Sequence, residues 1–126
     1  MPTKVLCMAV AGAALLLGFS PQEDDRGKDL FERRCSGCHA ADLNKEGPSL
    51  RGVFGRKAAS ARGFAYSEAM KKLDQRWDET SLDRWLTDPD SMAPGTDMEF
   101  RLADGEERKA VIAYLKILGG KNTPSR

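Results

Sequence analysis

Cys35, Cys38 and His39 sit together in the stretch FERRCSGCHA, and His39 is the only histidine in the chain. Three chemistries use two thiols and an imidazole at such spacing: a structural metal site, a dithiol redox centre, and covalent attachment of haem. A structural zinc site takes four protein ligands. Here the remaining cysteine is the distant Cys7, and no carboxylate stands at motif spacing to complete a set. A thioredoxin-like dithiol follows a strand and opens a helix, whereas a helical pattern precedes this CxxC and no strand pattern does. That reading also leaves His39 without a role. Attachment of haem c employs all three residues. Thiols at i and i+3 lie on one side of a helical turn and can each form a thioether with a vinyl group, and the adjacent histidine is then held under the iron.

With no second histidine, a low-spin iron needs a methionine opposite His39. After Met1 and Met8 the chain has Met70, Met92 and Met98. Met70 falls on a short helical stretch and reads as a core residue. Met92 and Met98 both lie in the irregular stretch DPDSMAPGTDMEF, where Pro94-Gly95 makes a turn that can throw Met98 inward.

Positioning these groups falls to a chain that opens MPTKVLCMAVAGAALLLGFSPQEDD. One lysine, an apolar run from Val5 to Leu17, and then Gly18, Ser20 and Pro21 have the order of a secretory signal peptide. The run is shorter than the roughly 20 residues of a membrane span. Residues 1–20 are therefore expected to be a cleaved signal that takes Cys7 with it, leaving 21–126 as a single domain in an exported, periplasmic protein. A domain of that size buries only about 60–70% of its unfolded surface, so a bound cofactor would help to stabilise it.

The elements read as helices and loops, without strands. A first helix runs from Asp24 or Asp25 to the cysteines, with Gly27 on the same face as Phe31 and Cys35. Glycine inside a helix costs about 1 kcal/mol relative to alanine, which points to close approach of another element. From Asn44 to Gly63 the glycine-rich chain has no period and reads as a long loop. Ser67 to Leu73 reads as a short helix. Asp78 caps a further helix bearing Leu82, Trp85 and Leu86, ended by Asp88-Pro89. Asp104 and Glu107 start a helix with Val111, Leu115 and Leu118 on one stripe, closed by Gly119-Gly120. Two long loops that cannot be their own core imply packing around something that is not polypeptide.

Charge excludes one class of partner. The full chain carries a formal charge of +1, which gives no reason to expect nucleic acid. The distribution is uneven: Arg26 to Arg76 holds 12 basic and 6 acidic residues, and Asp88 to Lys109 holds 3 basic and 7 acidic. Such a dipole can orient an approaching partner.

Over nearly all of residues 21–126 the sequence resembles the class I cytochromes c, in particular the mitochondrial type and its close bacterial relatives. Gly27, Phe31 and Tyr114 match the residues at that family's helix crossing, and Cys35, Cys38 and His39 match its attachment motif. The segments GPSLRGVFGR and GFAYSEAM resemble its loops, and Trp77 to Met98 aligns without a gap. The resemblance implies an all-α fold of helices and long loops around one covalently bound haem c. It implies that Pro48 offers its carbonyl to His39, that Arg56, Tyr66 and Trp77 lie near the propionates, and that Met98 is the distal ligand. It further implies a soluble, monomeric, non-enzymatic carrier of one electron between redox proteins, either membrane oxidoreductase complexes or a soluble dehydrogenase, oxidase or reductase. The alternative is a peroxidase-like enzyme or gas sensor with a labile distal methionine. Two departures stand out. Trp85 replaces the tyrosine near the ligating methionine, and Asp90, Ser91, Asp97 and Glu99 occupy a region that is lysine-rich in the mitochondrial type.

Overall fold

Helix α1 (Pro21–Arg34) meets helix α5 (Gly105–Leu118) through a glycine. The computed structural model describes residues 11–13 and 21–120, so the expected signal peptide lies outside the described residues apart from 11–13. A Cβ at Gly27 would run into the Ala110 carbonyl oxygen and stand 2.9 Å from Tyr114 Cβ. The helices can approach only because that atom is missing. One turn later Phe31 lies against Tyr114, ring centroids 5.3 Å apart and tilted by 54°, a pairing worth about 0.5–1.5 kcal/mol beyond area burial. Leu30 and Phe31 from α1 and Val111, Ile112 and Leu115 from α5 are buried at the crossing or beside it. The expected start at Asp24 or Asp25 is corrected to Pro21; proline suits a first helical position because its φ is preset and no N–H is needed there.

Between these helices come α2 (Glu68–Lys71), α3 (Glu79–Thr87) and α4 (Pro89–Met92). Ser67 caps α2 through the Met70 N–H. Asp78 and Ser81 cap α3 reciprocally, at 2.8 Å in each direction, which satisfies donors that a helix start otherwise leaves bare. The Asp104 carboxylate accepts the Glu107 N–H at 2.9 Å and opens α5. That bond holds the Asp104 carboxyl below its ordinary value. Helix α4 departs from the irregular reading of its stretch. Pro89 supplies its first residue, Ala93 N–H returns to the Pro89 carbonyl, and the Ser91 hydroxyl donates to the Asp88 carbonyl at 2.7 Å. One proline-led turn is too short to leave a periodic pattern.

The stretch from Cys35 to Ser67 is a loop held by a few backbone bonds. Leu50 N–H reaches the Ala40 carbonyl, Arg51 N–H reaches Ala41, and Gly47 N–H reaches Cys38. Farther on, Gly55 and Ala58 N–H donate to the Trp77 and Gln75 carbonyls and Trp77 N–H donates to the Arg56 carbonyl, around an isolated bridge between Lys57 and Arg76, so the loop is clipped to the approach of α3. The Arg51 guanidinium ties it to α5 by donating to the Leu118 carbonyl. Among the described residues no helix is long and apolar enough to cross a membrane. Replacing Gly27 by alanine tests the crossing. Helix propensity alone favours the change by about 1 kcal/mol, yet the clash is expected to invert the sign and destabilise the protein by about 1–3 kcal/mol. Denaturant midpoints of the two proteins check it.

Candidate functional site

The turn that ends α1 delivers the CxxCH residues to a cleft. Cys35 N–H bonds the Phe31 carbonyl, and Cys38 and His39 N–H both return to the Cys35 carbonyl at 3.1 and 2.8 Å. This winding brings both sulfurs and the imidazole to the wall of one cavity of about 390 Å³, within the range of small-molecule sites. Cys35 is half-buried, and burial pushes its thiol up to about 11. Cys38 is exposed; its S–H donates to Glu46 at 3.4 Å, which is the main reason its pKa is raised. Neither thiol is the low-pKa nucleophile that a dithiol redox centre needs. That reading is therefore disfavoured by the local electrostatics as well as by the missing strand.

His39 is fixed from two sides. Its Nδ1 lies 2.9 Å from the Pro48 carbonyl oxygen, and a carbonyl can only accept, so the Nδ1 proton is retained and the Nε2 lone pair is left for a metal. Burial lowers the imidazole's pKa, against an opposing push from the Pro48 carbonyl, with Lys45 lowering it further. The neutral ring is the ligating form. Gly47 lies flat against the ring: a Cβ there would stand 2.7 Å from Nδ1 and closer still to Cε1. Sequence reasoning passed over Gly47; its only signal was the Gly-Pro pair preceding the loop.

Another part of the cleft wall comes from α3 and the loop after α4. Trp85, 7% exposed, donates its indole N–H to Met98 Sδ at 3.2 Å. Its ring meets Trp77 edge-on, centroids 5.3 Å apart. Gly95, with φ of 86°, makes the turn that brings Met98 round, and its N–H is held by the Asp90 carboxylate. Met98 lines the cleft and Met92 does not; Met92 borders a separate groove with Pro94 and Gly95. Met70, read from sequence as core, packs on the core and also faces the cleft.

Arg56 supplies the test of fit. Its terminal nitrogens donate to the Ser49 carbonyl at 3.0 Å and the Arg51 carbonyl at 3.4 Å. Its Nε is buried with no partner, the one such side-chain nitrogen or oxygen among the described residues. An unsatisfied buried donor costs about 1–3 kcal/mol, and a carboxylate in the cleft would relieve it. Tyr66, whose oxygen accepts the Ala61 N–H at 2.9 Å, keeps its own proton to give. Trp77 lines the same cleft. An apolar cavity with an imidazole and a thioether on its walls, two thiols at its edge and cationic and hydroxyl donors beside it fits a haem with its vinyl and propionate groups. All nine residues singled out from the sequence, Cys35, Cys38, His39, Pro48, Arg56, Tyr66, Trp77, Trp85 and Met98, line this one cleft.

Comparison with known proteins agrees. Residues 25–119 match the family model described as Cytochrome c. Cytochrome c of Chlamydomonas reinhardtii is 43% identical over 95 residues, spanning 72% of this chain and 85% of that protein. Cytochrome c2 iso-2 of Magnetospirillum molischianum is 44% identical over 87 residues, spanning 67% of this chain and 90% of that protein. Among solved structures, cytochrome cH from Methylobacterium extorquens superposes with a TM-score of 0.71 at 40% identity, over 75% of this chain and 97% of that one.

The support beneath His39 is open to test. Gly47→Ala is expected to destabilise the haem-loaded protein by about 1–3 kcal/mol. Gly37→Ala is the control, since an added Cβ there meets nothing within 4 Å. Paired denaturant melts compare the two.

Proposed function

The chain belongs to the cytochrome c family and is a monohaem electron carrier with covalently attached haem c, and we propose that its axial ligands are His39 and Met98. Haem c, when bound, supplies a one-electron Fe(III)/Fe(II) couple. Cys35 and Cys38 would hold it through thioethers, His39 would offer Nε2, and Met98 would offer its sulfur from the same cleft. Thioether sulfur is a soft, neutral donor that favours the ferrous state, so this ligand pair raises the potential. Arg56, Tyr66 and Trp77 would donate hydrogen bonds to the propionates, whose charge is costly to bury unpaired. With His39 and Met98 both serving as ligands, little would have to rearrange on electron transfer and no protein ligand would have to give way to a substrate. The reading is therefore a carrier and not an enzyme. The observation that carries it is the placement of Met98 on the same cleft as a His39 whose ring is already fixed.

Two finer readings belong with it. The first is that residues 1–20 form a cleaved signal and that the protein works in a bacterial periplasm. The apolar run at 5–17 supports it, as does the start of the family match at residue 25. The second concerns partners. Glu46, Asp97 and Glu99 are exposed and border the cleft, and among the described residues none of the three has an ion-pair partner. Haem attachment would consume the Cys38 S–H that Glu46 now accepts, leaving that carboxylate free as well. Two exposed cations stand nearby: Arg34 on the rim faces Glu107 at 3.7 Å, and Lys45 donates to the Ser36 carbonyl at 2.6 Å. An acidic mouth suits redox partners with basic docking faces.

An absorption spectrum of the ferric holoprotein tests the ligation. Wild type and Met92→Ala are expected to be low-spin with an iron–methionine band, and Met98→Ala is expected to lose it. A wild type that is high-spin and, once reduced, binds carbon monoxide freely would overturn the carrier reading. For the partner surface, electron-exchange rates with a cationic ruthenium ammine complex are expected to rise as salt is lowered, and those with ferricyanide to fall; the opposite pair of slopes would reject an acidic mouth.

A further inference from the structure

Two loops bring acid to the mouth of the cleft, and they hold it differently. Asp97 and Glu99 flank Met98 on the segment after α4, whereas Glu46 stands in the loop that follows the CxxCH turn; all three are exposed and line the cleft. Of the three, Glu46 is the one in contact with an attachment residue, its Oε2 lying 3.4 Å from Cys38 Sγ. Cys38 is exposed and Cys35 only half-exposed, so Cys38 marks the attachment point that a partner protein can reach.

The main chain around Glu46 is clipped in place. Gly47 N–H bonds the Cys38 carbonyl at 2.8 Å, and Lys45 N–H bonds the Gly47 carbonyl at 2.9 Å. The residues on either side of Glu46 are thereby tied to each other and to the CxxCH turn. The cations nearby are engaged elsewhere: Lys45 Nζ donates to the Ser36 carbonyl at 2.6 Å, and Arg34 faces Glu107. Residues 97–99 have no comparable clip. There the Met98 N–H reaches only the neighbouring Thr96 hydroxyl, at 3.5 Å. Thioether formation removes the Cys38 S–H, and a thioether sulfur has no proton to donate. Among the described residues, that S–H is the one hydrogen-bond donor to the Glu46 carboxylate.

We propose that Glu46 is the residue that selects the charge of the redox partner: its carboxylate, released by haem attachment, pairs with a lysine or arginine on the partner's docking face, while Asp97 and Glu99 contribute only to the long-range field. The proposal rests on the acidic mouth described above and narrows it from a patch to a residue. A carboxylate on a fixed backbone loses less freedom when it pairs than one on a loosely tied segment. Its place beside Cys38 draws the partner's cation to the reachable attachment point.

The experiment reacts the cationic hexaammineruthenium complex with haem-loaded wild type, Glu46→Gln, Asp97→Asn and Glu99→Gln, each variant losing one negative charge. At low salt, Glu46→Gln is expected to slow electron exchange about three- to tenfold and the other two about twofold or less. At high salt the four rates should converge. Glu46→Asp keeps the charge and should keep the wild-type salt dependence; a loss equal to that of Glu46→Gln would mark a packing role and overturn the proposal. Equal slowing in the three neutralised variants, or a smaller loss at Glu46 than at Asp97 or Glu99, would overturn it too. A second measurement involves no electron transfer. Tetralysine, a redox-inert stand-in for a basic docking face, is titrated into the ferrous protein and followed by proton–nitrogen NMR. Backbone shifts are expected at residues 45–47 in wild type and should be lost in Glu46→Gln. Shifts confined to residues 96–100, shifts that persist in Glu46→Gln, or none at all would reject it. If exchange between wild type and the ruthenium complex does not speed up as salt falls, the acidic-mouth reading fails and takes this inference with it. If exchange does speed up and the neutralised variants are slowed alike, only this inference fails.

Discussion

The hydrogen bond between His39 Nδ1 and the Pro48 carbonyl, 2.9 Å long, is the contact on which the site's arrangement depends. It joins the end of α1 to the loop that follows and fixes the protonated nitrogen, so the other nitrogen is committed to the cleft. Gly47, one residue before, must have no side chain for the ring to lie where it does. Its N–H is tied to the Cys38 carbonyl in turn, so thiols, imidazole and loop form one closed circuit. The remaining loops have no comparable network of their own. They are placed by this circuit on one side and by the clips to α3 and α5 on the other.

Polar groups around the cleft divide by what they lack. Arg56 has two of its nitrogens on main-chain carbonyls and the third on nothing. Tyr66 accepts and has a proton left over. Trp85, by contrast, is satisfied within the polypeptide, by sulfur. The first two have donors left over for a guest that brings oxygen acceptors, and the third spends its donor on a side chain of the protein.

Much of this was legible because local chemistry writes itself into local spacing. The CxxCH motif and the capping aspartates Asp78 and Asp104 each act within one or two turns, and each sits where its residue type requires; Gly27 acts across the fold on α5, yet showed itself as a glycine out of place inside a helix. Helix α4 escaped because a single turn led by Pro89 has no period to detect. The choice between Met92 and Met98 was not decided by residue type, since both lie within one irregular stretch; it depends on how the Gly95 turn aims the chain, a property of the whole loop. The resemblance to a known family named Met98, whose side chain lines the cleft, while Met92 borders a separate groove. Gly47 and the donor role of Trp85 were missed for the same reason. A sequence gives a side chain's atoms and not the direction in which they point.

The pairing of α1 with α5 has a consequence for the order of assembly. Contacts between segments so far apart along the chain carry a large loop-closure cost, and folding slows as contact order rises. Their shared crossing at Gly27 cannot form until α5 has been made and released from whatever channel delivers it. Until then the CSGCH turn stands at the end of a helix with no partner, its thiols open to solvent and to chemistry. Topology thus acts as a timer: the segment that must be covalently modified emerges early, and the helix that seals the core emerges late.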